Sequence, residues 1–162
     1  MPECFPPVLG DAPRILILGT MPGRVSLEMR EYYAHPQNQF WRLLGAALKL
    51  ELASMPYAAR LEAVKERGVA LWEVFAACER EGSLDSAIED PEPNNVPKLV
   101  RETGIKAVFC NGGTAWRAFQ RHFAESMPGG TEAFQLPSSS PAHAGRNYDE
   151  KLRFWLEITR YV

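Results

Sequence analysis

The sequence predicts an α/β fold, a three-layer α/β/α sandwich around a central, mainly parallel four-stranded sheet, and three observations carry that prediction. Apolar runs of strand length occur without alternation, as in Ile15, Leu16, Ile17 and Leu18 and again in KAVFC over 106–110, which suits strands buried on both faces. Between these runs lie segments whose apolar residues repeat at helical spacing. Three strand ends run into motifs rich in Gly, Pro, Asn or Ser. In a parallel sheet those carboxyl ends share one edge, where open α/β sheets bind their ligands.

The elements follow in order. Residues 1–13, rich in proline, form an extended lead-in. Strand one breaks at Gly19, where Thr20, Met21, Pro22 and Gly23 can bring backbone N–H groups close to a ligand, since glycine lacks a Cβ and proline stiffens the turn. A long, aromatic-rich loop then leads to a helix opening at Asn38, with Phe40, Leu43, Leu44, Ala47 and Leu48 on one face, and ending near Leu50. A second helix over 57–67 carries Tyr57, Leu61 and Val64 on one face and stops at Gly68. VALWEVF, 69–75, reads as the second strand, and the polar, proline-bearing 79–94 as an irregular surface loop. Asn95 caps a short helix that ends at Gly104. KAVFC, the third strand, runs into Asn111, Gly112 and Gly113 and feeds a helix with Trp116, Phe119 and Phe123 on one face. A last strand over 133–136 enters PSSSPAHAGRN, and a closing helix spans 148–160. The order βααβαβαβα makes one domain over 1–162.

Bulk properties narrow the function. A chain of 162 residues fits one domain with a substantial core. Lys and Arg number 18 against 20 for Asp and Glu, so the chain is no general polycation and any nucleic-acid contact is a local patch. Cys4, Cys78 and Cys110 are scattered and match no metal-ligand spacing, so they read as reduced thiols, and neither a metal nor a cofactor is expected. The opening residues lack the basic start and apolar core of a signal peptide, and no apolar run reaches membrane-span length. The expectation is a soluble, intracellular, cytoplasmic monomer.

Three motifs lie at the strand ends: GTMPG with YYAHPQNQFW after strand one, NGG after strand three and LPSSSPAH after strand four. Together they resemble the uracil-DNA glycosylase superfamily, and within it the branch known for hypoxanthine-DNA (deoxyinosine) glycosylase activity. The neighbouring mismatch-specific uracil glycosylases share the P-G turn and the H-P-x-N-x-F-W segment. The resemblance spans the chain from strand one to the motif before the last helix. It implies the fold reached above, a monofunctional DNA glycosylase of base excision repair without strand nicking, and DNA containing deaminated bases as partner.

Such chemistry must hold an extruded base, stabilise charge on it as it leaves, and place a water beneath the sugar. Backbone amides around Thr20 and Met21 suit the leaving base. The resemblance matches Tyr33 to an aromatic that stacks on the flipped base. Many superfamily members place Asp or Asn immediately before the P-G to position the water; here Met21 stands there, and a thioether cannot orient water. The resemblance moves that role to Asn38 of H-P-x-N, which is equally placed to cap the following helix. His35 reads as a loop brace. Asn111 matches the N-G segment, where its amide can contact a base edge or form the turn before Gly112.

The LPSSSPAH stretch resembles the superfamily's second motif. Ser138, Ser139 and Ser140 would supply donors to phosphate oxygens, and Pro141 and Ala142 the wedge where the base has left. The hypoxanthine branch ends this motif in Asn, whereas this chain has His143, a second candidate for contact with the leaving base. Arg146 is a candidate phosphate contact. Two other classes stay open: a non-catalytic DNA- or nucleotide-binding module of the same fold, and a serine hydrolase using Ser138 to Ser140, His143 and Asp149. The last lacks a G-x-S-x-G elbow, and its Ser and His lie too close on one loop for triad geometry.

Overall fold

In the computed structural model the described residues are 5–76, 92–142 and 145–162. Four strands, β1 (Ile15–Gly19), β2 (Val69–Glu73), β3 (Ala107–Asn111) and β4 (Glu132–Leu136), form one sheet in the order β2-β1-β3-β4. Every neighbouring pair is parallel. The helices are α1 (Arg24–Met29), α2 (Phe40–Leu48), α3 (Tyr57–Glu66), α4 (Val96–Thr103), α5 (Gly113–Phe123) and α6 (Tyr148–Trp155).

The continuous apolar runs serve two cores at once. Successive strand side chains point to opposite faces, so Ile15 and Ile17 of β1 join one cluster and Leu16 and Leu18 the other. On the first face they meet Phe40, Leu43, Leu44 and Leu48 of α2, Val64 of α3 and Trp155 of α6. On the second they meet Val100 of α4 and Ala115, Phe119 and Phe123 of α5. These layers are the predicted α/β/α sandwich. Burying each such Leu, Ile or Phe contributes roughly 1.5–3 kcal/mol relative to exposure.

The lead-in is tied down at its middle. Val8 and Leu71 exchange backbone hydrogen bonds of 2.8 and 3.0 Å in an antiparallel bridge. This pairs the outer edge of β2, which would otherwise present open donors and acceptors.

The departures from expectation are local. The loop after β1 contains α1, a helix without an apolar stripe to announce it, since its one buried residue is Ser26. The next helix begins at Phe40 rather than Asn38, because Asn38 turns its side-chain oxygen onto the Phe40 N–H at 2.9 Å and stays outside. The second strand ends at Glu73, although Val74 and Phe75 still donate to the carbonyls of Gly19 (2.8 Å) and Thr20 (3.1 Å). The closing helix tightens after Trp155 into a 3-10 turn, Leu156–Arg160. Most of the predicted 79–94 loop lies outside the described residues. Among those residues no helix is long and apolar enough to cross a membrane.

Candidate active site

A cavity of about 460 Å³ opens at the carboxyl edge of the sheet. Each strand delivers one residue to it: Gly19 from β1, Glu73 from β2, Asn111 from β3, and Ser138 just beyond β4.

Tyr33 forms one wall. Its backbone is left-handed, with φ of 54°, a conformation that costs a non-glycine residue about 1–3 kcal/mol unless its surroundings hold it. The surroundings do so. Tyr32 next to it is buried, donates its N–H to Tyr57 Oη (2.9 Å) and its hydroxyl to Pro6 O (3.0 Å), and accepts at its carbonyl from Trp41 Nε1 (3.2 Å). On the other side Ala34 N donates to Ser26 Oγ at 3.0 Å, which is why α1 buries a serine. The Tyr33 ring lies on Phe40 with centroids 3.7 Å apart and planes 13° from parallel. Phe40 is itself fully buried and edge-on to Trp41 and Trp155. One face of Tyr33 is therefore fixed on the core, and the ring lines the cavity.

Glu73 is the residue that sequence reasoning missed. It ends β2, is 3% exposed and lines the cavity. A Cβ on Gly19 would lie 2.5 Å from Glu73 Oε2 and 3.0 Å from Tyr33 Oη. Glycine there lets carboxyl and phenol close over its Cα, and any larger residue would push one of them aside. Burial first, and the Glu73 charge second, push the Tyr33 phenol far above the ordinary tyrosine value, so it stays protonated. Its hydroxyl shares this neighbourhood with the Asn111 amide but makes no hydrogen bond of good geometry. A signal existed: a carboxylate inside an apolar strand run is rarely there for packing.

Asn38 stands between the cavity and the start of α2. Its Oδ1 accepts from Phe40 N, and the residue also lines the cavity rim. The hydrogen bond fixes the amide orientation while leaving a second lone pair on Oδ1. His35 lines the same rim, and its Nδ1 accepts from Gln37 N at 3.1 Å. That bond sets the neutral ring's proton on Nε2 and makes His35 a brace of its own turn.

Asn111 grips the serine loop with both ends of its amide. Nδ2 donates to Ser139 Oγ at 2.9 Å, and Oδ1 accepts from Ser139 N at 3.0 Å. Ser139 is buried, and its carbonyl accepts from Gln39 N (3.0 Å), which ties the loop to the start of α2. Ser138 Oγ accepts from Ser140 N (3.1 Å), and Ser140 Oγ from Ala142 N (3.2 Å). All three hydroxyls hold the loop's shape, which is a scaffold's use of serine rather than a nucleophile's. Pro141 and Ala142, by contrast, protrude into solvent at the mouth.

Thr20 and Met21 are buried and line the cavity. Arg146 does not reach this cavity; it stacks over Phe154 with its Cζ 4.7 Å from the centroid and lines a neighbouring groove. His143 lies outside the described residues.

The arrangement can hold a flat ring against Tyr33, offer it a buried carboxylate edge from Glu73, and orient a small polar molecule at Asn38. Comparison with known proteins agrees in class. The family model described as the uracil DNA glycosylase superfamily matches residues 6–161. A Methanosarcina barkeri protein named hypoxanthine DNA glycosylase is 46% identical over 109 residues, covering 67% of this chain and 69% of its own length. A protein of the same name from Methanosarcina acetivorans is 38% identical over 139 residues, 86% of each chain. The solution NMR structure of a provisionally assigned uracil DNA glycosylase from Methanosarcina acetivorans superposes with a TM-score of 0.81 at 35% identity, covering 98% of this chain and 96% of that one.

Proposed function

The chain belongs to the uracil DNA glycosylase superfamily, and on that premise we propose that it hydrolyses the N-glycosidic bond of deaminated bases in DNA, hypoxanthine first and uracil second. The product is an abasic site in an unbroken strand. The observation that carries this reading is the pairing of the Tyr33 face with the Glu73 carboxylate in one cavity. The two relatives named hypoxanthine DNA glycosylase support the choice of base.

Deamination changes a base in a way this pair can read. Adenine N1 and cytosine N3 are acceptors; in hypoxanthine and uracil the same positions carry N–H donors. A fixed carboxylate acceptor favours the donor and repels the acceptor, and a site built for one buried hydrogen bond rejects the analogue that cannot make it. In this reading the base leaves the stack, lies on Tyr33 and presents its lactam N–H to Glu73. The turn at Thr20 and Met21 faces the departing base. Asn38 orients the water that attacks the anomeric carbon as the sugar gains positive character. Asn111 acts through the loop it holds, with any base contact secondary. Ser138 and Ser140 meet the backbone, Ser139, buried and bonded to Asn111, holds the loop that presents them, Pro141 and Ala142 fill the vacated stack, and His143 faces the leaving base. In this reading the enzyme works as a single-domain monomer in the cytoplasm.

Met21 favours one second reading. Its thioether stands where a water-orienting side chain is common, and a binding module that retains the fold would tolerate it. The deciding assay measures base release from duplexes carrying one hypoxanthine, uracil, xanthine or no lesion, followed by alkali cleavage at abasic sites. Hypoxanthine release supports the glycosylase; tight binding with no release from any duplex supports the module.

A further inference from the structure

A second cavity, of about 590 Å³, opens beside the first, between α2 and the start of α6. Asn38, Ser140 and Pro141 line both, so the two are continuous at the mouth. Among the described residues the groove's charged lining is Arg42, Arg146 and Lys151, with no Asp or Glu. On a chain of net charge −2 this is a local concentration of positive charge.

Two of the cations are parked. Arg42 Cζ sits 4.4 Å from the Tyr148 centroid, and Arg146 Cζ 4.7 Å from that of Phe154. Stacking restrains a guanidinium while its N–H edge stays available to acceptors.

Lys151 is the more informative. It is 4% exposed, yet it is held by a neutral group: Nζ donates to Gln39 Oε1 at 3.1 Å. No carboxylate pairs with it among the described residues. A buried ammonium held by one amide is costly, and burial draws its pKa below the usual lysine value. An anion in the groove would supply the missing charge.

The geometry points to this groove as the track for the phosphodiester backbone of the damaged strand where it leaves the pocket, with Lys151 a buried phosphate ligand and Arg42 and Arg146 flanking it. The inference rests on the glycosylase reading, because a base seated on Tyr33 brings its own strand past Ser140 and Pro141. It adds two residues, Arg42 and Lys151, on elements that carry no family motif cation.

The test is equilibrium binding of the full chain to a duplex with one tetrahydrofuran abasic analogue, measured across salt concentrations. Each phosphate contact contributes about 0.9 to the slope of log K against log salt. Arg42→Gln with Arg146→Gln should flatten the slope by about 1.8, and Lys151→Gln by about 0.9. Lys98→Gln, at an exposed position of α4 across the sheet, where Nζ lies 3.8 Å from Glu102, should leave it unchanged. Neutral methylphosphonates flanking the lesion on the damaged strand should weaken the wild type and have little further effect on the double variant. Both arginines are exposed, so the double variant should fold even if Lys151→Gln does not. An unchanged slope in the double variant overturns the inference.

Base release by the same preparations separates the two readings. Release of hypoxanthine with an unchanged slope in the variant removes only the groove. The predicted slopes with no release remove only the glycosylase. No DNA binding by the wild type removes both.

Discussion

Tyr33 lies flat on Phe40, ring centroids 3.7 Å apart, and the strained backbone that places it there is held by three hydrogen bonds of its neighbour Tyr32, two donated and one accepted. A preordered aromatic surface spares the protein from ordering it when a base arrives. Tyr33→Ala should lower kcat/KM for base release by about 5- to 150-fold, from stacking worth about 1–3 kcal/mol per base. Tyr33→Phe should keep most of the activity. Equal loss in both variants would show that the hydroxyl, not the ring face, carries the role.

Glu73 should govern which bases are released. Glu73→Gln keeps the shape but presents a donor as well as an acceptor, so discrimination between hypoxanthine and adenine should fall by about 1–3 kcal/mol. The check is the ratio of kcat/KM for hypoxanthine to that for adenine in matched duplexes. An unchanged ratio with unchanged folding would remove Glu73 from base reading.

The Asn111–Ser139 clamp should matter to both stability and rate. Asn111→Ala leaves a buried Ser139 N–H without its acceptor, a loss of about 1–3 kcal/mol. Thermal unfolding should register it as a lower Tm, and base release should slow because Pro141 and Ala142 lose their anchor. A variant with wild-type Tm would show that the loop is held from Gln39 alone.

The frame of the protein is legible in the sequence, and the reasons are local. Ile15 to Leu18 are apolar at every position because they face two cores, and that pattern distinguishes a central parallel strand from a half-solvated one. The cavity edge followed from strand ends bearing glycine and serine motifs. Glu73 stayed hidden because its role depends on β2 pairing beside β1, which brings it against Gly19, a contact that no spacing reveals. The Asn111–Ser139 clamp joins residues far apart in sequence, and α1 lacks periodicity because it packs through a serine. Lys151 carries no sequence signal of its own, since its place in the groove depends on α6 packing against the start of α2.

Alkali should unfold the protein through its buried phenols. Burial raises the pKa of Tyr32 and Tyr33 well beyond the usual value near 10, and that of Tyr57 in the same direction. A folded-state pKa above the unfolded one means that this stability is complete below about pH 10 and is lost as pH rises further, since the unfolded chain then sheds protons the folded one keeps. Tyrosinate absorbance should show Tyr32 and Tyr33 ionising only within the unfolding transition followed by circular dichroism. Ionisation of all five tyrosines in a still-folded protein would contradict the burial argument.

The most direct test of the central claim is single-turnover release of hypoxanthine from a duplex by the wild type and Asn38→Ala, with binding to the uncleaved duplex measured alongside. In the proposed mechanism Asn38 orients the attacking water while its Oδ1 also accepts from Phe40 N, so Asn38→Ala should bind within a few-fold of wild type and release base at least about 100-fold more slowly, the scale of a lost catalytic contact. Wild-type release by Asn38→Ala would contradict the account, and the search for the water's partner would move to His35 and to His143.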